Sequence, residues 1–311
     1  MTTAAAARRT AHPKARQRTV ARNTALVLVG MHALAMLAFV PYCFTWWGVP
    51  VVLLGNALFG SIGINLGYHR LLTHRAVTVP RWLEKAFTVC GICSLEGPPL
   101  QWVAVHRMHH QHSDTDDDPH SPAHGFYWGH VGWTYTDDQA LKSAASRYIP
   151  DLIADPFQKW LHKKSRWVNV YLWHVAAIVA AAFLLGLAVY GTFAQALQVM
   201  VMGFVWGVAV RTVYVWHITW LVNSASHRWG YKTYSTGDDS RNNWVVALLT
   251  NGEGWHNNHH AAPRAASHGH RWWEVDLTYS FVRGLELVGL AKGVVPVKVA
   301  SYKTGETPAA V

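Results

Sequence analysis

The sequence predicts an all-α integral membrane protein: four transmembrane helices in two hairpins, with a cytoplasmic helical cap that holds a histidine-rich metal site. Three observations predict it. Four apolar stretches, roughly 24–41, 48–66, 168–190 and 197–222, approach or exceed the ~20 residues a helix needs to cross a bilayer. The links inside each pair are short and carry no Lys or Arg. Nine histidines fall in four short motifs, all in the blocks that follow the second and fourth stretches.

Composition supports a mixed chain. Of 311 residues, 51% are hydrophobic and only 14% charged, yet mean hydropathy is close to zero. Long apolar spans beside a sizeable polar part explain both. The formal net charge is +10. Arg8, Arg9, Lys14, Arg16, Arg18 and Arg22 stand before the first span with no acidic residue among them. That placement marks a cytoplasmic juxtamembrane segment and argues against a nucleic-acid partner.

The rest of the organisation follows. Residues 1–23 form a basic disordered tail, 24–295 one membrane domain, and 296–311 a loose C-terminal tail. Span one leaves the cytoplasm and span two returns, so residues 67–167 are cytoplasmic. The second hairpin returns residues 223–311 to the same side. The first span reads as retained rather than cleaved. Cys43, Cys90 and Cys93 give no disulfide framework, and the lone CxxC at 90–93 reads as small packed residues. Residues 79–98 and 271–290 read as interfacial amphipathic helices, the second anchored by Trp272 and Trp273. Inside the spans, His32 and His174 read as packing or hydrogen-bonding groups. Arg211 and His217 read as lining a cavity.

The histidine motifs carry the chemistry. His69 and His74 form H-x-x-x-x-H at the end of span two. His106, His109 and His110 form H-x-x-H-H, and His256, His259 and His260 repeat it. Asn223 and His227 close span four as N-x-x-x-H. Residues at i, i+3 and i+4 share one helical face, so each H-x-x-H-H aims three imidazoles at one place. His69 and His74, five apart, share no face of a regular helix, which must end or distort between them. Imidazole suits Zn, Cu, Fe and Ni, and nine ligands exceed what one ion holds. No H-E-x-x-H is present, which removes the zinc-protease pattern. Glu253–His256 is the one E-x-x-H, so the carboxylate-bridged bundle pattern fails. Glu253 reads instead as a carboxylate that orients a ligand imidazole. Asp118 and His120, in the acidic run that begins at Asp114, read the same way; a solvated loop is the other reading of that run.

The segments GYHRLLTH (67–74), HRMHHQHSDTDDDPH (106–120), NSASHRWG (223–230) and NGEGWHNNHH (251–260) closely resemble the membrane fatty acyl desaturases of the delta-9 type. The resemblance runs from about residue 24 to 295. It implies a di-iron site with His69, His74, His106, His109, His110, His227, His256, His259 and His260 as ligands, and Asn223 meeting one iron through a water. It implies a cis double bond inserted into a saturated acyl chain, with O2 as co-substrate and two electrons from an external donor. That donor is a ferredoxin- or cytochrome b5-type protein with its reductase, because the family's C-terminal cytochrome motif is missing. It places the active site on the cytoplasmic face, here of a bacterial plasma membrane rather than the endoplasmic reticulum.

The resemblance also assigns a substrate tunnel. Trp102, Thr219 and Trp220 match positions near its bend. Ala57 and Ser61, two to three turns before His69, are expected at its closed end, where small residues imply a long chain. Ala104 and Val105 stand where animal acyl-CoA enzymes of the family carry Arg-Asp. The chain looks more like the bacterial, cyanobacterial and plant branch, and both acyl-CoA and acyl-lipid stay open as substrates. Two rival functions remain: a membrane hydroxylase or other oxygenase on the same scaffold, and a histidine-rich metal transporter or sensor.

Overall fold

The computed structural model describes residues 18–138 and 143–299. Four helices are long and apolar enough to cross a membrane: Arg22–Phe39, Gly48–Thr73, Pro156–Tyr190 and Phe193–His227. Each contains or overlaps one of the predicted spans. The predicted tail lies mostly outside the described residues. Within them, a strand β1 (Arg18–Val20) pairs antiparallel with β2 (Thr136–Asp138), and helix α1 (Arg22–Met36) starts at once. The residues of the C-terminal tail from 300 onward also lie outside.

Helix α2 (Gly48–Thr73) is the rod on which the site hangs. Its first eight residues are α-helical, and Asn56–Thr73 is wound in the wider π register. The hydrogen bonds show the change. The His74 amide donates to the His69 carbonyl at 3.1 Å, and the Thr73 hydroxyl to the Tyr68 carbonyl at 2.8 Å. The His74 backbone bond spans five residues, as π winding requires, and the Thr73 side chain reaches back over the same interval. Helix α3 (Arg81–Ile92) crosses α2 closely. A Cβ on Gly63 would lie 2.5 Å from the Cys90 carbonyl carbon, and one on Gly91 would lie 2.4 Å from the Tyr68 ring. Cys93 is buried just beyond α3, and burial pushes its thiol up to about 12. Cys90, the other cysteine of the CxxC, is half-buried, and both thiols are free.

Helix α4 (Pro99–His112) follows, with two prolines, Pro98 and Pro99, at its start. Short helices α5 (Phe126–His130) and α6 (Pro156–His162) lead to α7 (Arg166–Tyr190). Lys164 and Ser165 adopt left-handed backbone between α6 and α7 and turn the chain into the long span. Helix α8 (Phe193–His227) returns after Gly191, also left-handed, and the Thr192 hydroxyl caps it by accepting from the Gln195 amide. The backbone of α7 at Gly186 lies against Ala196, and Gly203 lies against Ala182, so α7 and α8 run side by side in opposite directions. Small residues at such contacts let membrane helices approach.

The first pair differs from expectation. Helices α1 and α2 are joined by a short link, but each leans on the middle of α8. Trp206 of α8 fills the space above Gly48, and Arg211 fills that above Gly55. The apolar outer faces of α1 and α7, with Val29, Phe39, Trp173 and Leu184 exposed, form a surface that hydrocarbon rather than water would cover.

The polar groups inside the spans form two contacts. Arg211 does not line a cavity. It is fully buried, donates to the Cys93 carbonyl at 2.6 Å, and meets His174 at 3.1 Å. His217 is the middle of a chain: its Nε2 lies 3.0 Å from His32 and its Nδ1 lies 3.0 Å from His130. His130 continues to the Ser224 hydroxyl at 3.0 Å. Both expectations of a cavity-lining role therefore give way to hydrogen bonding, since each side chain already has protein partners. The remaining elements, α9 (Trp244–Leu249), α10 (His256–Ala261) and α11 (Leu277–Leu287), complete the cap. The predicted interfacial helix at 271–290 shortens to α11, and Trp272 ahead of it is exposed.

Candidate metal centre

All nine motif histidines converge. Helix α4 presents His106, His109 and His110 from one face, and α10 presents His256, His259 and His260 from one face. The π turn at the end of α2 brings His69 and His74 together, with ring centroids 4.8 Å apart. His227 enters from the last turn of α8. The imidazoles sort into two sets. One holds His69, His74, His106, His110 and His259; the other holds His109, His227, His256 and His260. Within each set one nitrogen per ring lies within 4.8 Å of every other. Helices α4 and α10 each contribute to both sets.

Four carboxylates stand behind the rings. Glu253 Oε2 lies 2.6 Å from His69 Nδ1, and Asp118 Oδ2 lies 2.9 Å from His109 Nδ1. Asp114 Oδ2 lies 3.0 Å from His227 Nδ1, and Asp238 Oδ2 lies 2.7 Å from His260 Nδ1. Burial opposes the charge on each of them. Even so, His268, Arg70 and His69 hold Glu253 well below the usual carboxylate range. His109 and His120 do the same for Asp118, and His260 for Asp238. These carboxylates are ionised acceptors, so each accepts a hydrogen bond from the Nδ1–H of its partner ring.

That assignment tests whether a metal fits. A neutral imidazole carries one proton. His109 and His260 both give it to a carboxylate, yet their Nε2 atoms face each other at 3.3 Å. Two lone pairs then meet with no proton between them. Burial opposes charge on His109, but Asp118 raises its pKa, so a proton can bridge that one contact. Burial drives His74, His106, His110, His256 and His259 well below the ordinary histidine pKa, and the crowd among the other Nε2 atoms remains. Metal cations among the Nε2 atoms do relieve it, and carboxylate-backed imidazole is the ligand form that metals take. The residues fit such ions.

The acidic run divides. Asp114 and Asp118 turn inward to histidines, while Asp116 is largely exposed. His120 is buried, and its amide donates to Asp118 Oδ1 at 3.1 Å; its Nδ1 lies 3.7 Å from that oxygen, beyond a hydrogen bond. It steadies the carboxylate through its backbone. Glu253 serves His69 rather than its E-x-x-H neighbour His256.

Several residues of the site carry no motif. Arg70 is fully buried and donates to Glu253 at 2.8 Å, Asp276 at 3.1 Å and the Ala266 carbonyl at 2.7 Å. It clamps the carboxylate that holds His69. His268 lies 3.3 Å from Glu253. Asn257 and Asn258, between the α10 histidines, bind the cap: Asn257 Oδ1 accepts from the Thr233 and Tyr234 amides, and Asn258 Nδ2 donates to Glu274. Asp238 precedes His260 by 22 residues with no recognisable spacing. Proximity in sequence singled out Asp118 and Glu253; nothing local marks Arg70 or Asp238.

A cavity of about 530 Å³ opens beside the histidines, within the range of small-molecule sites. Trp102, Thr219 and Trp220 line it, as does Asn223 beside His256. Trp102 also stacks on His106 with centroids 5.1 Å apart. Ala57 and Ser61 do not line it, which corrects the expected closed end. The α2 winding turns Asn56, Gly60 and Ile64 to the wall; Ala57 faces outward, and the Ser61 hydroxyl accepts from Asn251. Glu96, absent from the sequence reading, also lines the cavity. Its Oε2 accepts from Trp102 Nε1 at 3.0 Å, and burial pushes its carboxyl up to about 7.

Residues 44–285 match the fatty acid desaturase family. The chain is 43% identical over 269 residues to the sn-1 stearoyl-lipid 9-desaturase of Anabaena variabilis, covering 86% of this chain and 92% of that one. It is 42% identical over 272 residues to the chloroplastic palmitoyl-monogalactosyldiacylglycerol delta-7 desaturase of Arabidopsis thaliana, covering 86% and 67%. It is 38% identical over 284 residues to the acyl-CoA C20 Delta5-desaturase of Anemone leveillei, covering 89% and 83%. With two histidine sets fit for metal beside a cavity and this breadth of similarity, the chain belongs to the fatty acid desaturase family and is an oxidoreductase.

Proposed function

We propose that the protein is an iron-dependent acyl desaturase that inserts a cis double bond, at the delta-9 position, into a long saturated chain held in the cavity. The observation that carries this reading is the pair of histidine sets at the cavity wall, with His69, His106 and His256 lining both site and cavity. Neighbouring methylenes offer no acidic proton and no leaving group, so side chains alone cannot start the reaction. Two bound iron ions would supply the oxygen activation that C–H cleavage needs.

The remaining work belongs to the chain. The five-histidine set would hold one ion. The four-histidine set would hold the other, with Asn223, which lines the cavity beside His256, reaching it through a water. Trp102, stacked on His106, and Thr219 and Trp220 shape the cavity where the acyl chain bends. Apolar walls exclude water from the reacting carbons. The balanced reaction takes the saturated chain, O2, two electrons and two protons to the unsaturated chain and two waters. A ferredoxin- or cytochrome-type donor docks on the cytoplasmic face to supply the electrons.

Expression in a host of defined lipid profile, followed by fatty acid analysis, tests the reading. A new monounsaturated chain is expected. An alcohol in its place would favour the hydroxylase reading, and no new product from iron-loaded protein would sink both.

A further inference from the structure

A second hollow lies against the first. A groove of about 970 Å³ runs between α1 and α8. Ala25, Val29 and Ala33 form one wall, and Val210, Val213 and Tyr214 form the other. Its lining is apolar apart from His32 and the hydroxyls of three tyrosines, and most of it comes from helices long and apolar enough to cross a membrane, with Tyr127, Val131 and Tyr135 lying outside them. Water is therefore not its occupant.

The two hollows share a wall. Leu28 lines both and is itself buried. The cavity touches Asn23, Thr24 and Val27 on one face of α1; the groove touches Ala25 and Val29 on the adjoining face. The first two turns of α1 thus stand as a divider at the membrane surface, with a hollow descending on each side. Among the described residues that line the cavity there is no Lys or Arg, the partners a phosphate-rich thioester head would seek.

We propose that the groove between α1 and α8 binds the second acyl chain of a two-chain glycerolipid whose first chain occupies the cavity. The glycerol sits over the start of α1 and sends one chain down each side of the divider. This rests on the acyl-chain reading of the cavity and adds to it a second binding site. The second chain passes from bilayer hydrocarbon to groove hydrocarbon, so the groove acts by selecting orientation rather than by tight binding.

Photo-crosslinking on purified protein in phosphatidylglycerol nanodiscs tests this without turnover. Two regioisomers of distearoyl phosphatidylglycerol carry a diazirine on one chain or the other. One regioisomer is expected to label the cavity around Leu95–Trp102, and the other the groove around Ala25–Met36. Excess stearoyl lysophosphatidylglycerol, with one chain, should abolish both labels together, because one molecule carries both chains. Groove labelling that survives this competitor is ordinary bilayer lipid and overturns the proposal.

Ala33→Trp fills the groove and should cut cavity labelling by the two-chain probe at least tenfold. Labelling by a diazirine-bearing lysolipid should be unchanged. Val213→Trp fills the opposite wall and replaces it if Ala33→Trp does not fold. Equal loss for both probes, or none for either, overturns the proposal. Failure of the desaturase reading would look different: both labels present, and no double bond in any lipid.

Discussion

Asp238 shows how much a single carboxylate does here. It accepts from His260 at 2.7 Å and also from the Ser240 amide at 3.0 Å, so ring and acceptor are both fixed. Asp238→Asn should lower iron affinity by ~10–100-fold, the usual cost of losing a carboxylate behind a ligand histidine. Metal titration of the purified variant checks it; wild-type affinity would refute the role. Glu96 predicts a pH effect. Its folded pKa, about 7, lies above its ordinary 4.5, so the uncharged form is the stable one. Its stability contribution is complete below pH ~4.5 and is lost as pH rises through about 7. Glu96→Gln should therefore leave stability at acid pH unchanged and raise it at pH 8 by at most ~3 kcal/mol, measured by unfolding at both values. The histidines themselves were legible because their spacing is local. Arg70, Asp238 and Glu96 were not. The acidic partners of Arg70 and the histidine partner of Asp238 lie 22 or more residues away in sequence, and a buried arginine or glutamate looks like any surface charge in a sequence.

Among the elements, α2 departs furthest from expectation. The hydropathy pattern showed that a helix crosses here, and the five-residue step from His69 to His74 signalled distortion at its end. The distortion is far longer than that step suggests: Asn56–Thr73 is wound in the π register throughout, and the wider turn is what aligns residues five apart. Its register depends on the crossing with α3 at Gly63. Gly63→Val must displace the Cys90 backbone, 2.5 Å from where a Cβ would lie. Overpacking of this kind costs ~1–3 kcal/mol. The variant should melt earlier and bind less iron even though no ligand is changed; a normal metal content would show that α2 tolerates the shift. Helix pairing was the part least open to sequence reading. A short basic-free link shows that α1 and α2 are consecutive, but not that Trp206 and Arg211 of α8 are what α2 packs against.

For the whole molecule, the nine histidines bring residues of α2, α4, α8 and α10 to one place. Bound metal should then act as a staple. A ligand at a hundredfold excess over its dissociation constant stabilises by about 2.7 kcal/mol. Stripping the metal with a chelator should lower the melting midpoint by ~5 °C or more, restored by ferrous iron. An unchanged midpoint would mean that the cap stands without it.

The alternation of ligands along α4 and α10 has a consequence for biogenesis. His106 and His110 belong to one histidine set and His109 to the other; His259 belongs to the first and His256 and His260 to the second. No fragment of the chain carries a finished half. A nascent chain on the ribosome cannot complete either set until His259 has emerged, after all four long apolar helices have been made. Completion of both sets is thereby a late step of assembly, because each needs a histidine from the last helix of the site.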